Sequence, residues 1–527
     1  MPLQGLAPYK SPRRSAATQT SSLVNVPAPV GGLNLRDPIS AMSPIDAVVL
    51  DNMIPRQTGV ELRAGYQVFT DEIGYEPKSV FAYSALNGDD KLFAAANGNI
   101  YDITDGTVTV SQSATGSTDD IWSTTMFSTG ADNFLLAVSA SGGYWTYSNA
   151  SGWIKRTPSS LPTSGLNSVM VWKQRVFFTV KNSANIYYMH QVNVVTGSTS
   201  AFNMGSQLRN GGYICGLISW TLDAGVGIDD HLVVVGSQGD LSVWTGTDPQ
   251  SANTFAIKGT WYVGPVPTIG RFFTAFGGDV MILSEMGLVP VSKLVNGQFV
   301  ESNNGVSSKI QSVLTPLVRQ LRNVEGWDIF IVPSQDILVI KLPPQYSVYQ
   351  QFAMNITTGA WCTFSNMPMF ATTIWDGELY FCTGEVVCHG LYGKRDGIAL
   401  DGTGGDPIEG DVQTSFQAFD TAGQIKRFGL ARPVFVAPEA PSVKLRVNTQ
   451  YQFTGVEGSP AFSQEALAYW DSAVWNAALW VGGTDTYESW VGATGLGYYG
   501  SIRMKVRGVP QTLFMSSHLM VNVGGMM

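Results

Sequence analysis

Two short runs late in the chain alternate strictly between apolar and polar positions. In VKLRVN, Val443, Leu445 and Val447 alternate with Lys444, Arg446 and Asn448. In IRMKVR, Ile502, Met504 and Val506 alternate with Arg503, Lys505 and Arg507. A period of two puts one set on each face of a strand, so both runs predict half-buried antiparallel strands. A different period appears in SSKIQSVLTPLVRQL. There Ile310, Val313, Leu314, Leu317, Val318 and Leu321 recur at helical spacing. This predicts a helix near 305–322 that Pro316 kinks or bounds.

Between residues 76 and 400 a unit repeats: an aromatic anchor, a polar turn, a β-rich run, a Gly/Asn turn and another aromatic run. Its anchors are Phe81, Trp122, Trp172, Trp220, Arg271, Trp327 and Trp375, spaced 41 to 56 residues apart. Four strands of about six residues plus turns occupy roughly that length, which is one blade of a β-propeller. A lone blade exposes two apolar faces, and a closed ring covers them. The expected fold is therefore mainly β, a propeller of about seven blades (six to eight), with the helical segment as an insertion.

The ends differ from the middle. Residues 1–40 read as a flexible basic arm, because Lys10, Arg13, Arg14 and Arg36 lie among Ser, Thr and Pro with no acid before Asp37. Residues 41–75 read as a helix–strand lead-in. Ser43 can cap a helix, Pro44 suits its first position, Asp46 falls in its first turn, and Ile45, Val48, Val49 and Met53 share a face until Pro55. GVELRAGYQVF follows as a strand. Beyond the Gly/Asp-rich stretch DGIALDGTGGDPIEGD, residues 407–527 read as a C-terminal antiparallel β domain. Its segment YWDSAVWNAALWVGG carries Trp470, Trp475 and Trp480 at a spacing that suits neither helix nor strand, so it reads as a loop anchored by indoles.

Composition sharpens the picture. Charged residues make up only 13% of 527, about half the usual share of roughly 25%, while aromatics reach 11%. Such a surface suits extended subunit contacts. The net charge of −9 argues against a protein that grips phosphates and suits a surface that DNA passes without sticking. No apolar run approaches the roughly 18 residues of a membrane span, and the N-terminus does not read as a secretory signal. Four scattered cysteines, Cys215, Cys362, Cys382 and Cys388, do not make a disulfide framework. The reading is synthesis in a reducing cytoplasm.

Candidate chemistry is sparse. The histidines His190, His231, His389 and His518 show no paired-ligand spacing. CTGEVVCH (Cys382, Cys388, His389) lacks the tight cysteine pair and second ligand pair of structural zinc, and reads as buried thiols on a strand. GLGYYG (Gly495, Gly497, Gly500) matches a dinucleotide fingerprint literally, but a strand follows it where a helix is required. The acidic pairs Asp89/Asp90, Asp119/Asp120 and Asp229/Asp230 evoke a glycosidase, yet they lie where turns favour Asp. The tryptophans could stack sugars, and they serve equally as core anchors. The expectation is no enzyme, with no catalytic, cofactor or metal site.

The stretch GGLNLRDPISAMSPIDAVVLDNMIPRQTGVELRAGY resembles the N-terminal signature of the tail nozzle family of short-tailed bacteriophages, the tail tubular protein B-like proteins. The residues that carry it are Gly32-Leu33-Asn34, Arg36-Asp37, Leu50-Asp51-Asn52-Met53-Ile54-Pro55 and Arg63-Ala64-Gly65-Tyr66. GQIKRFGLARPVF (Gly423–Phe435) and WDSAVWNAALW look like further parts of the same family. The resemblance implies a propeller-containing structural subunit of the virion tail, made in the host cytoplasm. It implies a six-fold homo-oligomeric ring below an adaptor or connector protein, beside a tail fibre or tailspike. The ring retains packaged DNA and conducts it through transient, non-specific contacts during ejection. A host-receptor or glycan-binding tail protein is the alternative expectation, and a propeller glycosidase a third.

Overall fold

The computed structural model describes residues 21–130, 132–223, 228–251, 254–297, 305–344, 350–420, 422–461 and 484–524. Strand accounts for 52% of residues and helix for 5%, so the protein is mainly β. Five up-and-down meanders stand as separate sheets. Four have four strands each, within 79–112, 123–156, 166–203 and 214–262, and one has three strands within 273–290. Two further meanders, 328–364 and 372–390, are built into larger sheets. Together they form a β-propeller whose blade number lies within the expected six to eight.

Each blade buries its faces against the next. Phe81, Tyr83 and Phe93 of the first blade pack with Trp122, Trp145 and Trp153 of the second. Phe127, Leu136 and Tyr144 of the second meet Leu166, Val176 and Phe178 of the third. Trp172 and Phe177 of the third meet Leu217, Val234 and Trp244 of the fourth. The ring closes where Val80, Leu92 and Tyr101 pack with Tyr380, Cys382 and Val387. The anchors Phe81, Trp122, Trp172 and Trp375 are thus interblade side chains, while Arg271 is half exposed.

The closing blade is completed from the other end of the chain. Strands Thr372–Trp375, Glu378–Thr383 and Val386–Gly390 supply three members, and Tyr66–Val68 pairs antiparallel with Val386–Gly390 as the fourth. The ring is thereby latched by residues that precede its first blade.

The lead-in holds no helix, contrary to the sequence expectation. Asp46–Asp51 and Met53–Pro55 are strands, broken by Asn52 at φ +56°. Asp46–Asp51 lies between Trp361–Phe364 on one side and Glu409–Thr414 on the other. Its β-branched Val48 and Val49 suit that environment, and two flanking strands supply the hydrogen bonds that a helix would have made internally. The arm also departs from expectation where it is described. Ser21–Pro27 pairs antiparallel with Leu513–Val523, and Gly32–Leu33 pairs with Asp46–Asp51. Residues 1–20, including Lys10, Arg13 and Arg14, lie outside the described residues.

The insertion helix is present as Gln311–Leu321. It buries Leu314, Val318 and Leu321, while Val313 is 38% exposed, and Pro316 lies inside it, not at its end. The C-terminal strands are antiparallel as expected, but they share sheets with the rest of the chain. One nine-stranded sheet runs from the 328–364 meander through Asp46–Asp51 to Glu409–Thr414, Gly500–Arg507 and Ser442–Thr449. A seven-stranded sheet combines Lys426–Ala437 and Leu513–Val523 with strands from the lead-in. The lead-in is the seam between ring and C-terminal β layer. Trp470, Trp475 and Trp480 fall outside the described residues.

Candidate functional site: a polar lock at the seam

The signature residues near the N-terminus converge on two polar clusters, the first reaching the surface at Arg36 and Asp37. The first is built on Asn34, which is 1% exposed. Its Nδ2 donates to Asp37 (2.8 Å) and Asp46 (2.7 Å), and its Oδ1 accepts from the backbone N–H groups of Arg36 and Asp37. Lys309, just before the insertion helix, donates from Nζ to Asp46 Oδ1 (2.8 Å) and to the carbonyl of Gly31 (2.7 Å). The Arg36 guanidinium and the Asn34 amide hold the Asp37 carboxyl down at about 2. Gly32, at φ +77°, passes against the Trp361 backbone, where a Cβ would sit 2.7 Å from its N and O atoms. Only glycine allows that approach without a shift.

The second cluster is centred on Arg63, whose side chain is fully buried. Nη1 and Nη2 donate to the two oxygens of Asp396 at 2.7 Å each. Nε donates to Asn52 Oδ1 (2.8 Å), and Nη2 also donates to the Ser365 carbonyl (2.8 Å). Asn52 in turn donates to the Glu409 carbonyl (2.9 Å) and to Ser365 Oγ (3.0 Å). Asp51 accepts from Thr363 Oγ1 (2.7 Å) and Ser365 Oγ (2.5 Å). Burial pushes the Asp51 carboxyl above its ordinary value, against the pull of those two hydroxyls. Gly65 follows in the same seam, where a Cβ would lie 1.9 Å from the Arg395 carbonyl oxygen. The two clusters tie the lead-in to the insertion, the 328–364 blade, the closing blade and the C-terminal β layer. A bidentate, desolvated guanidinium–carboxylate pair fixes geometry as well as energy. The arrangement is one of mechanical joining.

The other residues singled out in the sequence do not come together. His231, His389 and His518 sit on three different sheets, and His190 lies in the bend after the strand Asn185–Met189. His190 lies between the hydroxyls of Ser200 (2.6 Å) and Ser198 (2.9 Å), and His231 between Trp220 and Lys258. His518 pairs in register with Arg432. Among the described residues no group of three or more His, Cys, Asp or Glu could hold a metal ion. Cys382 and Cys388 are fully buried and unpaired, and burial raises the Cys388 thiol to about 12. GLGYYG connects two strands of different sheets, Val491–Gly497 in the seven-stranded one and Gly500–Arg507 in the nine-stranded one. A Cβ at Gly500 would lie 2.6 Å from the Phe428 ring, so that glycine makes room for a phenyl group. Asp90 accepts from the Ala85 N–H (2.7 Å) and Asp120 from the Gly98 N–H (2.9 Å) beside their turns, whereas Asp229/Asp230 depart from the turn expectation: they lie on the strand Ile228–Gly236, where Asp230 accepts from Thr221 Oγ1 (2.7 Å) on the paired strand.

Sequence reasoning missed the role of His389. Its ring stacks on Tyr380 (4.8 Å, 5°) and on Tyr392 (4.2 Å, 11°), with Glu378 Oε2 3.7 Å from Nε2. The alternation of Tyr380 with its neighbours signalled a strand, but nothing local marked its partners.

No protein-family model matches the chain, and no curated protein matches it. Among solved structures the chain is similar to one from a mitotic checkpoint complex, with 12% identity and a TM-score of 0.36 over 74% of this chain and 98% of that one. It is also similar to the RRP9 WD40 repeats, with 11% identity and a TM-score of 0.36 over 62% of this chain and 98% of that one. A third is the Cps50 (Swd1) propeller domain of Myceliophteria thermophila, with 9% identity and a TM-score of 0.37 over 60% and 96%.

Proposed function

We propose that this protein is a structural subunit of a short-tailed phage tail nozzle. It assembles as a ring of copies, expected to be six, that retains packaged DNA and conducts it during ejection. One observation carries the reading. The residues of the N-terminal signature that resembles the nozzle family (Asn34, Asp37, Asp51, Asn52, Arg63 and Gly65) form the lock that joins propeller, insertion and C-terminal layer. A signature spent on joining modules suits a part that bears load within an assembly. The net charge of −9 suits a DNA-repelling path. The implied partners are an adaptor above the ring and a tail fibre or tailspike beside it. No helix among the described residues is long and apolar enough to cross a membrane.

Electron microscopy of particles made with and without this gene product tests the proposal. Complete particles should carry a distal tube on the tail axis, and particles lacking the protein should miss the tube and leak DNA. A tube that persists without the protein, with only adsorption lost, would overturn it in favour of a receptor-binding part.

A further inference from the structure

Four Asn-Gly steps fall among the described residues: Asn87–Gly88, Asn97–Gly98, Asn210–Gly211 and Asn296–Gly297. In a fifth, Asn304 lies outside them. Such a step can deamidate without an enzyme, because glycine has no Cβ to shield its amide nitrogen from the preceding carboxamide. The fold decides which step is free to react. In three of them the nitrogen that must attack is tied. The Gly98 N–H donates to Asp120 Oδ1 (2.9 Å), the Gly211 N–H to the Leu208 carbonyl (3.1 Å) and the Gly297 N–H to the Leu294 carbonyl (3.1 Å). Asn210 is held twice more by Asp240, through its N–H (2.8 Å) and its Nδ2 (2.7 Å).

Asn87–Gly88 differs on each count. Both residues are exposed, in the turn between Ser79–Tyr83 and Lys91–Ala96 of the first blade. The Gly88 N–H makes no hydrogen bond to the described residues, and a Cβ at Gly88 would meet nothing within 4 Å. Asn87 Nδ2 donates to Asp89 Oδ2 (2.6 Å), and Asn87 Oδ1 accepts from the Asp89 N–H (3.3 Å). These two bonds reach over residue 88 and fold the carboxamide back along the Gly88 peptide. Holding two reacting groups together favours their reaction.

We propose that Asn87 is a self-modification site, the one of these four asparagines that deamidates in the folded protein. The Gly88 nitrogen loses its proton to hydroxide and attacks Asn87 Cγ. A bond forms between them, the bond from Cγ to Nδ2 breaks, and ammonia leaves with a proton from water. Water then opens the cyclic imide at either carbonyl, leaving aspartate or isoaspartate at position 87. Both products place a third carboxylate beside Asp89 and Asp90 and remove the donation to Asp89. Isoaspartate also adds a methylene to the backbone of a turn that the second blade holds, through Asn149 Nδ2 and the Asp89 carbonyl (2.9 Å). The reaction therefore alters a contact between the first two blades as the protein ages. This site goes beyond the nozzle reading and does not depend on it.

The test holds the full-length protein at mildly alkaline pH, native and in urea, and follows each Asn-Gly peptide by mass spectrometry after digestion. In the native protein Asn87 should convert about fivefold or more faster than Asn97, Asn210 or Asn296, the rate factor expected for a hydrogen bond that must first be released. In urea the four rates should converge. Asp120→Ala frees the Gly98 nitrogen and should raise the Asn97 rate alone. A variant that simply unfolds would instead raise the Asn97, Asn210 and Asn296 rates together. Native rates that do not favour Asn87, or an Asn87 preference that persists in urea, would overturn the proposal. So would an Asn97 rate unchanged in folded Asp120→Ala.

Discussion

Arg63 and Asp396 stand 333 positions apart and meet through two hydrogen bonds of 2.7 Å. One belongs to the lead-in, the other to a strand laid against the closing blade. Asp51 also feels the Arg63 charge, but its carboxylate is hydrogen-bonded by the Thr363 and Ser365 hydroxyls and not by the guanidinium. Removing one leaves the other buried and uncompensated.

Arg63→Met should therefore destabilise the protein by about 3–5 kcal/mol, the usual range for a broken buried pair. Arg63→Lys should recover little, because a single ammonium cannot serve Asp396, Asn52 and the Ser365 carbonyl together. Thermal unfolding of the two variants checks this. A melting temperature for Arg63→Met equal to wild type would refute the lock.

Gly65→Ala tests the same seam without touching charge. The new methyl group would press on the Arg395 carbonyl, and overpacking of this kind costs about 1–3 kcal/mol. Gly423→Ala, where a Cβ meets nothing within 4 Å, is the matched control and should change stability little. Limited proteolysis should show earlier cleavage near the latch in Gly65→Ala alone.

Lys341 is buried, and desolvation lowers its amine to about 8 even though Asp328 and Glu325 oppose the shift. Its Nζ donates to the Phe370 carbonyl at 2.6 Å. Between about pH 8 and the ordinary lysine value of 10.5, the unfolded chain holds this proton and the folded one does not. Folding stability attributable to Lys341 therefore rises with pH across that window, and its penalty is complete below it. The stability of wild type minus that of Lys341→Met, measured by denaturant unfolding, should increase from pH 8 to 10.5. A flat difference would show that the amine stays charged when folded.

The four cysteines should be silent in the native protein. Cys215 and Cys388 are raised to about 12 by burial, and Cys362 and Cys382 are pushed up further by the same cause. A thiol–disulfide reagent at pH 8 should label none until denaturant is added, and then all four. Labelling of any one before unfolding would identify a blade that opens locally.

Much of this architecture is local in origin and was legible in the residues themselves. Alternation at Val443–Asn448 and Ile502–Arg507 specified strands, because a period of two admits only one half-buried arrangement. Helical spacing across Ile310–Leu321 specified the insertion helix, and Pro316 was tolerated within it. The blade repeats were readable because every blade solves the same burial problem with aromatic anchors. The strand after GLGYYG was equally local.

Other features were decided only by tertiary contact. Residues 46–51 satisfy a helix pattern as well as a strand, and pairing with Trp361–Phe364 and Glu409–Thr414 settled the choice. A strand that fills a gap between two sheets gains hydrogen bonds and burial on both sides, which outweighs weak local preference. The boundary expected near residue 407 dissolved for the same reason, since the C-terminal strands pair across it. The partners of Arg63, Asn52 and Tyr392 were invisible in the sequence. A hydrogen bond or ring stack between distant residues leaves no periodicity behind, and only the folded chain brings them within reach.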